Sequence, residues 1–95
     1  MREALIEAYL VDQVRAAGGF CWKWQSTRRG VPDRIVFLPG GRTIYVELKA
    51  PNGRLSAQQQ HVHGMLRDLG HDVRVVWSKE HVDALIREVT HGATV

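Results

Sequence analysis

Two carboxylates and an amine carry most of the chemistry in this chain. Asp33 follows Gly30-Val31-Pro32, and further along Glu47 and Lys49 stand on either side of Leu48. Hard oxygen ligands from one or two carboxylates suit a divalent ion such as Mg²⁺, which keeps several waters and takes further ligands from phosphate. A lysine beside such an ion orients a water, or deprotonates it where its surroundings lower its pKa. Taken alone, Glu47-Leu48-Lys49 describes an ordinary solvated pair on an exposed strand, with Asp33 a turn residue after Pro32. The chemistry therefore depends on whether the neighbouring elements bring the three side chains together.

Those elements point to a hairpin. Ile35-Val36-Phe37-Leu38 and the run ending Tyr45-Val46-Glu47-Leu48-Lys49 are β-rich stretches joined through Pro39-Gly40-Gly41. If Leu38 sits opposite Thr43, antiparallel pairing puts Asp33 opposite Leu48, between Glu47 and Lys49. A slip of one or two residues still leaves all three at the same end of the hairpin. Strand alternation sends Glu47 and Lys49 to one face and Ile44, Val46 and Leu48 to the other. Pro32 fixes entry into the strand, and Gly30 permits a positive φ or close approach of a substrate backbone. Just upstream, Gln25-Ser26-Thr27-Arg28-Arg29 is a polar loop. Its two arginines are placed to grip phosphates, although a solvated loop would read the same way.

Pro32-Asp33 followed by Glu47-Leu48-Lys49 resembles the PD-(D/E)xK nuclease signature. With Gly30 before it, Gly53-Arg54-Leu55-Ser56 after it and the compact length, the chain resembles the VRR-NUC branch of that superfamily over nearly its whole extent. The resemblance implies a restriction-endonuclease-like core and a metal-dependent DNA endonuclease that hydrolyses phosphodiester bonds. It implies that Asp33, Glu47 and the carbonyl of Leu48 hold Mg²⁺ or Mn²⁺ while Lys49 positions or activates the attacking water. An acid on the first helix helps the metal site in this family; Glu7 is the natural match and Glu3 the fallback, whereas the residues alone describe Glu7 as a first-turn acid near a helix N-terminus. A glutamine after the serine reaches into the family's active site, and the spacing favours Gln59. Arg28, Arg29, Gly30 and Arg54 are the expected DNA-binding positions. Products would carry a 5′-phosphate and a 3′-hydroxyl. Stand-alone members are associated with branched DNA such as four-way (Holliday) junctions and typically act as homodimers, without a small-molecule cofactor. The competing expectations are a restriction or repair nuclease acting on linear duplex, a DNA-binding module that has lost catalysis, and a subunit targeted by a partner protein.

The remaining stretches fill in the fold. Ile6, Leu10, Val14 and Ala17 fall at helical spacing over about Glu3 to Ala17, Leu5 and Tyr9 widen the stripe, and Gly18-Gly19 ends it. Phe20-Cys21-Trp22-Lys23-Trp24 reads as a first strand with its three large aromatics on one face, suited to the core or to a subunit interface. Ser56-Ala57-Gln58-Gln59 matches a capping box at the start of a second helix, which would by itself explain Gln59. That helix carries Val62, Met65, Leu66 and Leu69 on one face and stops at Gly70. Val73-Arg74-Val75-Val76-Trp77 is a further strand, Lys79 to about Thr90 a last helix built on Val82, Leu85, Ile86 and Val89, and the tail His91 to Val95 is expected to fray. The order α-β-β-β-α-β-α predicts an α/β (α+β) fold with a mixed sheet flanked by helices.

Length and composition agree with one small domain spanning residues 1–95. The net charge of +3 and pI of about 9.5 allow nucleic-acid binding without requiring it. A single cysteine, Cys21, excludes an intrachain disulfide, fits a reducing compartment and is expected to pack. No apolar run is long enough to span a bilayer, and Arg2, Glu3 and Glu7 make the N-terminus unlike a secretory signal. A cytoplasmic protein with no membrane partner is expected. His61 and His63, the one close histidine pair, do not face each other on a helix, which argues against zinc. No separate DNA-reading helix or zinc finger is recognisable, which favours recognition of DNA shape over sequence.

Overall fold

The expected order of elements is the observed one. The computed structural model describes residues 2–91, the side chain of His91 excepted; Met1 and residues 92–95 of the tail lie outside. Helix α1 (Glu3–Ala16) leads into strands β1 (Phe20–Lys23), β2 (Arg34–Leu38) and β3 (Arg42–Leu48). Helix α2 (Ala57–Asp68), strand β4 (Val73–Val76) and helix α3 (Lys79–His91) follow. The four strands lie in the order β1-β2-β3-β4, with the first three antiparallel and β4 parallel to β3. Parallel pairing requires a crossover, and α2 supplies it. Among the described residues no helix is long and apolar enough to cross a membrane.

One core holds the layers together. Ile6, Leu10 and Val14 of α1 and Val82, Leu85 and Val89 of α3 meet the inward residues of the sheet, Cys21, Val36, Ile44, Val46, Leu48 and Val76. Cys21 packs as expected, and burial pushes its thiol pKa up to about 11. Helix α2 lies on the opposite face toward β4, burying Val62 and His63.

Several expectations shift. The hairpin closes one residue tighter, with Leu38 opposite Arg42 and Phe37 opposite Thr43, so Asp33 falls level with Glu47 and not with Leu48. The reason is the turn at Pro39–Gly41, where Gly40 and Gly41 adopt φ of 84° and 80° and let Arg42 join the ladder at once. Phe20 and Trp22 do share a face, but it is the outer one. They are 52% and 58% exposed while Cys21 points inward, because α2 leaves the β1–β2 half of that face bare. For the same reason Met65 and Leu69, expected in the buried stripe of α2, lie exposed, and His63 takes an inward position instead. Leu5 is likewise exposed, so the apolar stripe of α1 is narrower than its spacing suggested.

Candidate active site

The site is built where β2 begins and β3 ends. The Trp24 N–H donates to the Asp33 carbonyl at 2.9 Å, which carries the β1–β2 pairing up to this point. Asp33 Oδ2 accepts from the Leu48 N–H at 2.8 Å. This bond ties the aspartate side chain to the backbone between Glu47 and Lys49. Glu47 follows Val46 on the opposite face of the strand from the core, yet it is only 2% exposed because α2 covers it. Gln59 Nε2 of α2 donates to Glu47 Oε2 at 3.1 Å, and Lys49 Nζ stands 3.6 Å from the same oxygen. Asp33, Glu47 and Lys49 are therefore brought together, at the end of the hairpin where the sequence put them.

The electrostatics follow from this crowding. Burial first, and then the neighbouring Asp33 carboxylate, push the Glu47 pKa up to about 8, against the opposing pull of Lys49. Two carboxylates forced together in a dry place retain a proton unless a cation replaces it. Lys49 is held by its stem, which lies against Gly53: a Cβ there would stand 3.3 Å from Lys49 Cβ and Cδ. The Gly53 carbonyl in turn accepts from Trp77 Nε1 at 3.3 Å.

Gln59 makes both sets of contacts that the sequence left open. Its N–H donates to Ser56 Oγ at 3.0 Å and its Oε1 accepts from the Ser56 N–H at 2.9 Å, which completes the capping box. The amide has an acceptor end and a donor end, so the cap leaves Nε2 free for Glu47.

The other expected site residues divide. Glu7 lies on the first helix and lines one groove with Asp33, Trp24, Pro32 and Glu3. Its Oε2 accepts from Arg34 Nε at 2.8 Å, and Arg34 Nη1 also donates to the Cys21 carbonyl at 3.1 Å. Arg34 was not foreseen; nothing in its sequence position marks a partner 27 residues away. Arg28, Arg29 and Arg54 are exposed on the loops that flank the site. Gly30 adopts φ of +90°, and a Cβ there would come 2.8 Å from the Gln58 carbonyl of α2. The close approach that its glycine serves is to the protein's own helix.

His63 was also missed. Fully buried beside Val62, it places Nε2 3.7 Å from Glu47 Oε1. Burial, with Arg67 next in effect, holds its pKa below the usual imidazole value. Its signal in the sequence was a polar residue on the inward side of α2, which the comparison with His61 obscured.

Asp33, Glu47 and the Leu48 carbonyl offer hard oxygen donors of the kind that suit a divalent ion. Among the described residues the buried side-chain atoms without a hydrogen-bond partner are Glu47 Oε1 and both ring nitrogens of His63, all in this one place. No group of three or more His, Cys, Asp or Glu side chains there could hold an ion alone. One or two carboxylates, with water and phosphate completing the shell, is the arrangement Mg²⁺ favours.

Known proteins share this sequence pattern and fold. The family model of the VRR-NUC domain matches residues 5–80. The chain is 47% identical over 81 residues to "Putative nuclease p44" of Acyrthosiphon pisum secondary endosymbiont phage 1, covering 84% of this chain and 87% of that protein. A solved structure described as a VRR_NUC domain superposes with a TM-score of 0.84 at 34% identity, covering 90% of this chain and 94% of the other. The matched span holds Asp33, Glu47, Lys49 and Gln59, the fold agrees over nearly its full length, and the chain belongs to the VRR-NUC family.

Proposed function

We propose that the protein is a Mg²⁺- or Mn²⁺-dependent DNA endonuclease acting on branched DNA such as four-way junctions. The observation that carries this reading is the pairing of Asp33 and Glu47 carboxylates at one sheet end with Lys49 beside them. Family membership and the printed name of the phage relative support the nuclease part. Asp33, Glu47 and the Leu48 carbonyl would hold the ion, and Glu7 would complete the acidic set from the groove it shares with Asp33 while its Oε2 stays with Arg34. A bound Mg²⁺ or Mn²⁺ supplies Lewis acidity toward the scissile phosphate and eases loss of the leaving oxygen. Lys49 orients the attacking water, which gives its proton to solvent as its oxygen forms the new P–O bond in line with the P–O bond that breaks, and the departing 3′ oxygen takes a proton from solvent. Gln59 holds Glu47 in place through Oε2. Arg28 and Arg29 before the site and Arg54 after it bind flanking phosphates by charge-assisted hydrogen bonds.

A homodimer belongs to this reading, because symmetric nicking of two strands needs two active sites and a two-fold pair supplies them. Phe20, Trp22 and Phe37 support it. Phe20 and Trp22 stack with ring centroids 5.5 Å apart, Phe37 meets Trp22 edge-on at 5.3 Å, and all three are exposed on the sheet face that carries Glu47. Such an apolar aromatic cluster is suited to a second copy of the chain.

The test is a cleavage assay on labelled junction, flap, duplex and single-stranded DNA in Mg²⁺, Mn²⁺ or EDTA, with Asp33→Ala and Lys49→Ala alongside. Cleavage is expected to need the ion and to fall by at least about 10²-fold in each variant, with DNA binding retained by Lys49→Ala. Metal-independent cutting, or full activity in either variant, refutes the assignment. Preference for linear duplex replaces the junction reading with the restriction or repair one, and binding without cutting any substrate leaves a DNA-binding module.

A further inference from the structure

His63 has no place in the mechanism above, and its surroundings are unusual for a core residue. It is fully buried and both ring nitrogens lack partners, as does the Glu47 Oε1 that its Nε2 faces at 3.7 Å. Buried polar groups in folded proteins are nearly always hydrogen-bonded, and an apolar side chain of the same shape would cost less here. An orphaned carboxylate oxygen facing an orphaned ring nitrogen is not explained by packing, since Val62 next in sequence already fills the apolar contact beneath Gly30. The opposite oxygen of the same carboxylate is held by Gln59. Catalytic hydrogen bonds are often long before ligand binds and tighten in the complex.

We propose that His63 is a positioning residue that donates its Nε2–H to Glu47 Oε1, so that His63 and Gln59 clamp the carboxylate from its two ends in the orientation that receives the divalent ion. This rests on the metal-binding reading of the site. The imidazole is neutral, with the proton on Nε2 and Nδ1 as the bare nitrogen, so the carboxylate gains a donor without a second charge. Outer hydrogen bonds of this kind orient the group that binds metal and commonly change affinity 10- to 100-fold when removed. His63 touches neither ion nor DNA in this arrangement.

The experiment is calorimetric titration of Mn²⁺, without DNA, into the wild-type chain, His63→Leu and His63→Gln, with melting curves of each in EDTA. His63→Leu is expected to bind Mn²⁺ at least tenfold more weakly, with its melting curve in EDTA showing that the fold is kept. His63→Gln, which keeps an N–H donor, is expected to recover most of the affinity. A merely structural histidine would lower the melting temperature on replacement and leave the Mn²⁺ affinity unchanged. Equal Mn²⁺ binding by wild type and His63→Leu overturns the assignment, as does a His63→Gln variant no better than His63→Leu. Should His63→Leu fail to fold, His63→Met takes its place in the comparison. A wild-type chain that binds no Mn²⁺ removes the metal-binding reading and this one with it, whereas the other failures leave that reading standing.

Discussion

Single side chains in this site carry more than one duty, and the duties can be separated. Ser56→Ala removes only the N-cap acceptor and is expected to cost about 1 kcal/mol of stability with cleavage retained. Gln59→Ala removes its half of the capping box and the donor to Glu47, so a stability loss of about 1–2 kcal/mol should come with a fall in activity. Urea denaturation and turnover measured on both variants isolate the contribution of the Glu47 tether. Equal activity in the two would assign Gln59 to the cap alone. Glu47 also sets a pH dependence. Its pKa in the folded chain, about 8, lies above the ordinary glutamate value of 4.5, so the folded state holds a proton that the unfolded state has lost. The stability this group adds to the metal-free protein is fully present below about pH 4.5 and is lost as pH rises through 8. The expected slope is at most about 1.4 kcal/mol per pH unit. Urea midpoints in EDTA should fall over that range, Glu47→Gln should flatten the fall, and saturating Mn²⁺ should displace the proton and abolish it.

At the scale of elements, the site exists because α2 is pressed against the loop that enters β2. Gly30 is the contact that permits this, with positive φ and the Gln58 carbonyl within 2.8 Å of where a Cβ would stand. Gly30→Ala is expected to destabilise the fold by about 1–3 kcal/mol, from backbone strain and displacement of α2 together. The same displacement would draw Gln59 and His63 away from Glu47, so activity in this variant should fall even at temperatures where it remains folded. Chemical denaturation gives the first quantity and a cleavage assay the second. Wild-type stability would show that the loop and helix yield freely. The register of the hairpin belongs to this scale as well. Alternation and turn composition placed Asp33, Glu47 and Lys49 at one strand end, but the tight glycine turn moved the pairing by a residue and set Asp33 level with Glu47.

For the whole molecule, the asymmetry of the sheet matters most. One face is closed by α1 and α3, while the other is covered by α2 only toward β4. The uncovered half presents Phe20, Trp22 and Phe37 on the same face as Glu47. Trp22→Lys should leave the melting temperature nearly unchanged, since the side chain is 58% exposed, while weakening self-association at least about tenfold. Sedimentation of wild type and variant over a range of concentrations reads this directly. A wild-type chain that sediments as a monomer throughout would remove the dimer from the proposed function.

The amino-acid order by itself determined what depends on near neighbours. Ile6, Leu10 and Val14 at helical spacing, the alternation through Ile44, Val46 and Leu48, the capping box at Ser56 and the hairpin that gathers Asp33, Glu47 and Lys49 are all properties of a few consecutive residues. Only the tertiary structure decided what covers what. It turned Phe20 and Trp22 outward, gave Glu7 to Arg34, set both ends of Gln59 to work and carried His63 to the back of Glu47. Burial and pairing of this kind are made between segments far apart along the chain, and no local period or turn signal encodes which segment will arrive.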